Sequence, residues 1–156
     1  VSLPYSKQYF SGGPNSVRAF RIRSLGPGNY QSPDSTAGTG FFDQAGDIKI
    51  EANVEYRFPL ISFLKGAVFT DAGNVWLKNA DGRDGKFTSN WINEIAIGSG
   101  IGLRVDIEFF VIRLDVATPL RKPTNNGFQW QDSFEIGKKS WRQENINWNF
   151  GIGYPF

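Results

Sequence analysis

Residues 145–156 read N-I-N-W-N-F-G-I-G-Y-P-F, and apolar side chains alternate there with polar or small ones. Because successive side chains of a strand point to opposite faces, this stretch predicts a strand with one wholly apolar face. A soluble sheet can bury such a face in its core, but here the aromatic residues continue to the last residue. We interpret the strand as barrel wall, with lipid on one side and a polar lumen on the other. The apolar positions are Ile146, Trp148, Phe150, Ile152, Tyr154 and Phe156.

The composition narrows the function classes. The chain has 156 residues and a net charge of +2, with no run of Lys and Arg, so nothing predicts a nucleic-acid partner. Cys and His are absent, which excludes disulfides, thiol catalysis, His-ligated metals and a Ser-His-Asp triad. Asp81 and Asp84 lie in a polar loop that lacks the acidic twelfth position of a calcium-binding loop. We therefore expect no enzyme, no cofactor and no metal.

Four further stretches alternate in the same way, and the connections between strands are alternately long and short. This asymmetry is typical of outer-membrane barrels, whereas soluble sandwiches have tight turns at both ends. Pro59 is expected to end the first ladder, because proline has no N–H to donate. The sequence thus predicts an all-β fold, an antiparallel transmembrane β-barrel. We expect strands near 47–58, 64–76, 95–107, 110–120 and 145–156, and long loops over 11–46, 77–92 and 121–144.

Five strands cannot close a membrane barrel, for which about eight are the practical minimum. Strand edges left open in hydrocarbon have unpaired backbone groups, at a cost of several kcal/mol each. Either further strands precede this segment or several chains share one barrel. Residue 1 is Val1 and no signal peptide precedes it, so we favour a mature or truncated chain whose upstream strands are missing.

Several motifs, in order, resemble the BamA/TamA-type outer-membrane assembly factors of the bacterial surface antigen family. S-G-G-P-N-S-V-R-A-F at 11–20, followed by S-L-G-P-G, resembles the sixth extracellular loop of that family. E-A-N-V-E-Y-R-F-P-L, V-F-T-D-A-G-N-V-W, G-I-G-L-R-V-D and I-R-L-D-V-A-T-P-L resemble the strands that follow it. The family loop usually carries V-R-G-F, and the matching residues here are Val17, Arg18, Ala19 and Phe20, with alanine in place of glycine.

The resemblance implies that the chain is the last five strands of a 16-stranded barrel in the outer membrane of a Gram-negative-type bacterium. Periplasmic POTRA domains would lie upstream. The implied function is insertion or translocation of outer-membrane proteins without nucleotide hydrolysis, through a seam beside the C-terminal strand. The implied partners are outer-membrane lipid, unfolded client proteins and accessory subunits. The aromatic face of the last strand, formed by Trp148, Phe150, Ile152, Tyr154 and Phe156, would be the signal recognised during the barrel's own assembly.

The resemblance also implies that the long loop folds into the lumen, where Arg18 meets Glu55 and Asp71 on the barrel wall. Strand alternation independently places Glu55 on the polar face, but leaves the face of Asp71 open. Phe20 is either an apolar anchor of the folded loop or a contact to lipid or loop neighbours. Two other functions remain open: an outer-membrane transport channel or two-partner-secretion-type pore, and a soluble β-barrel that binds an apolar ligand.

Overall fold

The computed structural model describes residues 3–31, 44–79, 85–124 and 126–153. Its main element is an antiparallel sheet of six strands, with a long loop folded against one face. The all-β, antiparallel fold class predicted from the sequence is confirmed. The strands are β1 (Tyr9–Phe10), β2 (Ala45–Gly46), β3 (Ile48–Ile61), β4 (Leu64–Trp76), β5 (Ala96–Ile107), β6 (Phe110–Thr124), β7 (Gly127–Trp130) and β8 (Asn147–Ile152), and the one described α-helix is α1 (Lys139–Asn145).

Strands that follow one another in the sequence pair with one another in the sheet, in the order β3-β4-β5-β6. The far side of β6 is shared by two strands. β8 pairs with the first half of β6 and β7 with its last four residues, as in the pairs Asp115–Asn149 and Arg121–Trp130. The short strands β1 and β2 form a separate pair that holds the two ends of the long loop together. Among the described residues, no helix has the length and apolarity needed to cross a membrane.

The two faces of the sheet differ sharply in character. The outer face carries large apolar side chains that are exposed, up to 76% for Trp148. The inner face carries charged side chains that are buried, because the loop covers them. This is the reverse of a soluble sheet, in which the apolar face is the covered one. The exposed apolar residues of the outer face include Val54, Tyr56, Val68, Ile101, Leu103, Leu114, Trp148, Phe150 and Ile152.

The apolar core lies between the inner face and the loop, and it is small. One cluster joins Val17 and Leu25 of the loop to Ala96 at the start of β5. A second cluster joins Ala19 to Phe69 and Ala117 on the sheet. The loop therefore takes the place that a second layer has in a soluble domain.

The predicted end of the first strand is wrong. Pro59 does not end the first strand, because β3 continues to Ile61 with a register shift between Pro59 and Ile61. A proline is tolerated there because no described strand pairs with the other edge of β3, so its missing N–H breaks no described ladder. The third strand, Ala96–Ile107, lies within one residue of the range predicted for it.

The expected loop over 121–144 is also wrong. β6 runs on to Thr124 and turns back into β7 through Gly127, whose φ of +104° suits glycine. Helix α1 follows, with Trp141 buried against Phe134. Because α1 includes Asn145, the last strand begins only at Asn147, and Ile146 is not part of it. Tyr154 and Phe156 lie outside the described residues.

Candidate functional site

Residues 11–28, here called the inner loop, fold into successive tight turns. The amide of Gly13 donates to the Phe20 carbonyl, and the amide of Phe20 donates to the Val17 carbonyl. Gly12 and Gly13 have φ values of +99° and +106°, which a residue with a side chain rarely adopts. These turns direct Arg18 toward the sheet, where its side chain is fully buried.

Arg18 forms a bidentate ion pair with Asp71. Its Nε donates to Asp71 Oδ2 at 2.8 Å and its Nη2 to Oδ1 at 2.9 Å, while its backbone amide also reaches Oδ2 at 3.1 Å. Its Nη1 donates to Glu55 Oε2 at 2.6 Å. The guanidinium lies 3.4 Å from the centre of the Phe69 ring. Charge-assisted, bidentate bonds of this kind fix both position and orientation.

The strand register explains why both carboxylates face the loop. Asp71 stands opposite Asn53, and Phe69 stands opposite Glu55, so all four side chains point to the same face. The structure thus brings Arg18, Glu55 and Asp71 together, and it resolves the face of Asp71 that alternation alone left open.

Three further buried charged residues belong to the cluster, and the sequence reasoning did not assign them to it. Arg104 on β5 donates to Glu55 Oε2 at 2.8 Å and to Asp115 Oδ1 at 2.5 Å. Asp115 on β6 lies 3.6 Å from Arg18 Nη1. Arg113 donates to the Pro14 carbonyl at 2.9 Å. The sequence did indicate that these three side chains share the polar face, because all three stand on the polar positions of alternating strands.

The remaining residues of the loop motif pack against the sheet. Val17 and Ala19 are buried in the two apolar clusters, and the half-buried Phe20 packs against both of them. The methyl group of Ala19 lies directly over Gly98 of β5, where any side chain would collide with it. Alanine at position 19 is therefore accommodated by the absence of a side chain at position 98.

The predicted C-terminal aromatic set is not part of this cluster. Trp148, Phe150 and Ile152 are exposed on the outer face, on the side of the sheet opposite to the inner loop. The other two members of the set, Tyr154 and Phe156, lie outside the described residues.

The charged cluster acts as a structural contact whose central guanidinium does not change its protonation state. Burial alone would lower the pKa of Arg18, but the hydrogen bonds to Asp71 and Glu55 outweigh it, so this pKa lies above its ordinary value. The guanidinium stays charged at any physiological pH. Within the described ranges, no group of three or more Asp and Glu side chains could hold a metal ion.

The sheet has an exposed apolar face and a polar face to which a long loop is held by buried ion pairs, and two faces of this kind are typical of the wall of a membrane barrel. Residues 1–156 match the family model of the Omp85 superfamily domain. The chain belongs to the Omp85 superfamily, and its sheet is a fragment of a β-barrel whose closure is not seen among the described residues. Members of this family are non-enzymatic factors for outer-membrane protein assembly or transport, in bacteria or organelles, and they contact the membrane and client proteins.

Proposed function

We propose that this chain is the barrel part of a BamA/TamA-type factor that inserts or translocates outer-membrane proteins without nucleotide hydrolysis. The observation that carries the proposal is the inner loop, held on the sheet by Arg18 through Asp71 and Glu55. A simple porin needs an open lumen, so a loop locked across the wall by buried ion pairs suits a protein that works on chains rather than on free solutes.

The proposed mechanism uses the edge of the last strand. Within the described part of the chain, β8 pairs only with β6, and its other edge has no partner. Such an edge offers backbone groups to an incoming strand. We propose that this edge belongs to a seam that opens and pairs with unfolded client strands. In the same proposal, the outward aromatic face of Trp148, Phe150, Ile152, Tyr154 and Phe156 is the signal recognised when this barrel is itself assembled.

The proposal also gives the chain a place in a larger protein. These strands would be the last part of a 16-stranded barrel, with POTRA domains upstream in the same polypeptide and accessory subunits beside it. The residue range 1–156 would then be the C-terminal segment of the barrel domain, with the loop over 11–46 on the extracellular side. The location would be the outer membrane of a Gram-negative-type bacterium.

The test is client insertion by the full natural polypeptide reconstituted in liposomes. We expect Arg18→Ala to lower the insertion rate and to make the inner loop sensitive to protease, because removing one partner of a buried ion pair costs about 3–5 kcal/mol. Arg21→Ala is the matched control, since Arg21 lies in the same loop and is exposed. Unchanged insertion and unchanged protease resistance in Arg18→Ala would overturn the proposal.

A transport channel or two-partner-secretion-type pore is the alternative. The charged inner face favours it, because a polar wall suits a water-filled path, and transport lies within the family's range. Conductance in planar bilayers separates the two functions. A large, steady conductance with the loop seated supports the channel, whereas a low conductance that rises in Arg18→Ala supports the assembly factor.

A further inference from the structure

The inward side of β8 faces the inner loop rather than open space. Asn147, Asn149 and Gly151 point inward and stand opposite Ala117, Asp115 and Arg113 of β6, in that order. Their outward neighbours are the exposed apolar residues of the same strand. The last strand therefore presents two side-chain amides and one gap to the loop that lies over it.

Both amides hold the backbone of the loop motif. Nδ2 of Asn149 donates to the Arg18 carbonyl at 2.8 Å. Nδ2 of Asn147 donates to the carbonyl of the next residue, Ala19. Arg18 and Ala19 are both buried, so these amides satisfy two consecutive backbone acceptors in a place shielded from water.

A third contact lies one step further along the same strand pair. The guanidinium of Arg113 rests over Gly151, where any side chain would collide with it. From there, Arg113 donates to the Pro14 carbonyl at 2.9 Å and to Asn15 Oδ1 at 2.7 Å. Residues 14–19 are thus held along the β6–β8 pair by three polar side chains.

Arg18 is therefore hydrogen-bonded to strands at opposite ends of the sheet. Its guanidinium is held by β3 and β4, and its carbonyl is held by β8, which is the last strand in the order β3-β4-β5-β6-β8. Among the described residues, β8 pairs with β6 along residues 112–117, whereas β5 pairs with β6 from Phe110 to Arg121. With fewer ladder hydrogen bonds, the pairing of β8 with β6 depends more on side-chain contacts than the pairing of β5 with β6 does.

We propose that Asn147 and Asn149 are a latch between the inner loop and the last strand, so that seating of the loop and pairing of β8 are one coupled equilibrium. Release of either element then weakens the other. The latch is a positioning device, and its use in opening a seam for clients rests on the proposed function. The existence of the latch does not rest on the proposed function, because the latch is measured on the barrel without any client.

The experiment is hydrogen exchange of the full natural polypeptide in lipid bilayers, followed separately in the peptides that cover β8 and the inner loop. The variants are Asn147→Ala/Asn149→Ala and Arg18→Ala, and the control is Gln129→Ala on the exposed face of β7. We expect the asparagine variant to speed exchange in the loop, and Arg18→Ala to speed exchange in β8, each by roughly tenfold or more. The control is expected to change neither.

The outcomes are separable. Faster exchange in the loop of Arg18→Ala with unchanged exchange in β8 would overturn the latch, as would an asparagine variant that leaves the loop unchanged. If the double variant does not fold, the single variants Asn147→Ala and Asn149→Ala are read in the same way. A barrel that shows the coupling but inserts no client would contradict the proposed function and leave the latch standing.

Discussion

At the residue scale, Arg18 acts as an anchor because each of its three guanidinium nitrogens donates to a buried carboxylate. Two carboxylates meet its guanidinium, and Arg104 in turn donates to Glu55 on β3 and to Asp115 on β6. A buried charge without such partners would be costly. The bidentate pair with Asp71 fixes the position and orientation of the Arg18 side chain, and so holds this part of the loop on the sheet.

The fit of Ala19 over Gly98 leads to a sharp prediction. Gly98→Ala should unseat the loop, because the new methyl group would overlap that of Ala19, and overpacking of this kind costs about 1–3 kcal/mol. Adding Ala19→Gly should restore the loop. The next nearest atoms to the new methyl are then the Thr118 carbonyl oxygen at 3.4 Å and the Cα of residue 19 at 3.5 Å, which are ordinary contacts.

The measurement is the rate of limited proteolysis of the inner loop in Gly98→Ala and in Gly98→Ala/Ala19→Gly. Gly137→Ala is the control, since no atom lies within 4 Å of a methyl group added there. A Gly98→Ala variant with a fully protected loop would contradict the packing described for Ala19. Failure of Ala19→Gly to rescue would show that the damage lies in the sheet itself.

At the element scale, each long strand separates two environments, and this separation can be tested on β5 alone. Ile101 lies in the middle of β5 and is 64% exposed on the outer face, while Ile107 is the last residue of the same strand. If this face contacts lipid, Ile101→Arg should cost about 2–4 kcal/mol and Ile107→Arg only about 0–1 kcal/mol. Urea unfolding in lipid vesicles measures both changes in the free energy of unfolding. Equal, small changes in the free energy of unfolding for the two variants would mean that the outer face contacts water rather than lipid.

Alternation explains which parts of these elements the sequence could predict. A period of two assigns a face, so the pattern of residues 47–58 is enough to place Glu55 on the polar side. It does not say which residues are neighbours across strands, and for that reason Arg104 and Asp115 were missed as members of the cluster. Helix α1 was missed because seven residues carry too little periodicity, and its position depends on the contact of Trp141 with Phe134.

At the scale of the whole molecule, the sheet has two sides that no described strand covers, one along β3 and one along β8 and β7. In hydrocarbon each unpaired backbone group on such an edge costs several kcal/mol, so other strands must meet both edges when the sheet is in a membrane. Those strands come either from the same polypeptide or from further copies of it.

The intact mass of the natural polypeptide, taken together with the number of polypeptides in each folded barrel, distinguishes these sources. We expect a mass several times the 17.5 kDa of this segment and one polypeptide per barrel. The proposed 16-stranded wall needs about eleven strands beyond β3, β4, β5, β6 and β8, because β7 lies on the same side of β6 as β8. A 17.5 kDa polypeptide present in several copies per barrel would contradict that expectation. Every barrel would then carry several inner loops and several copies of β8, and a single seam beside one last strand could not be the route for a client.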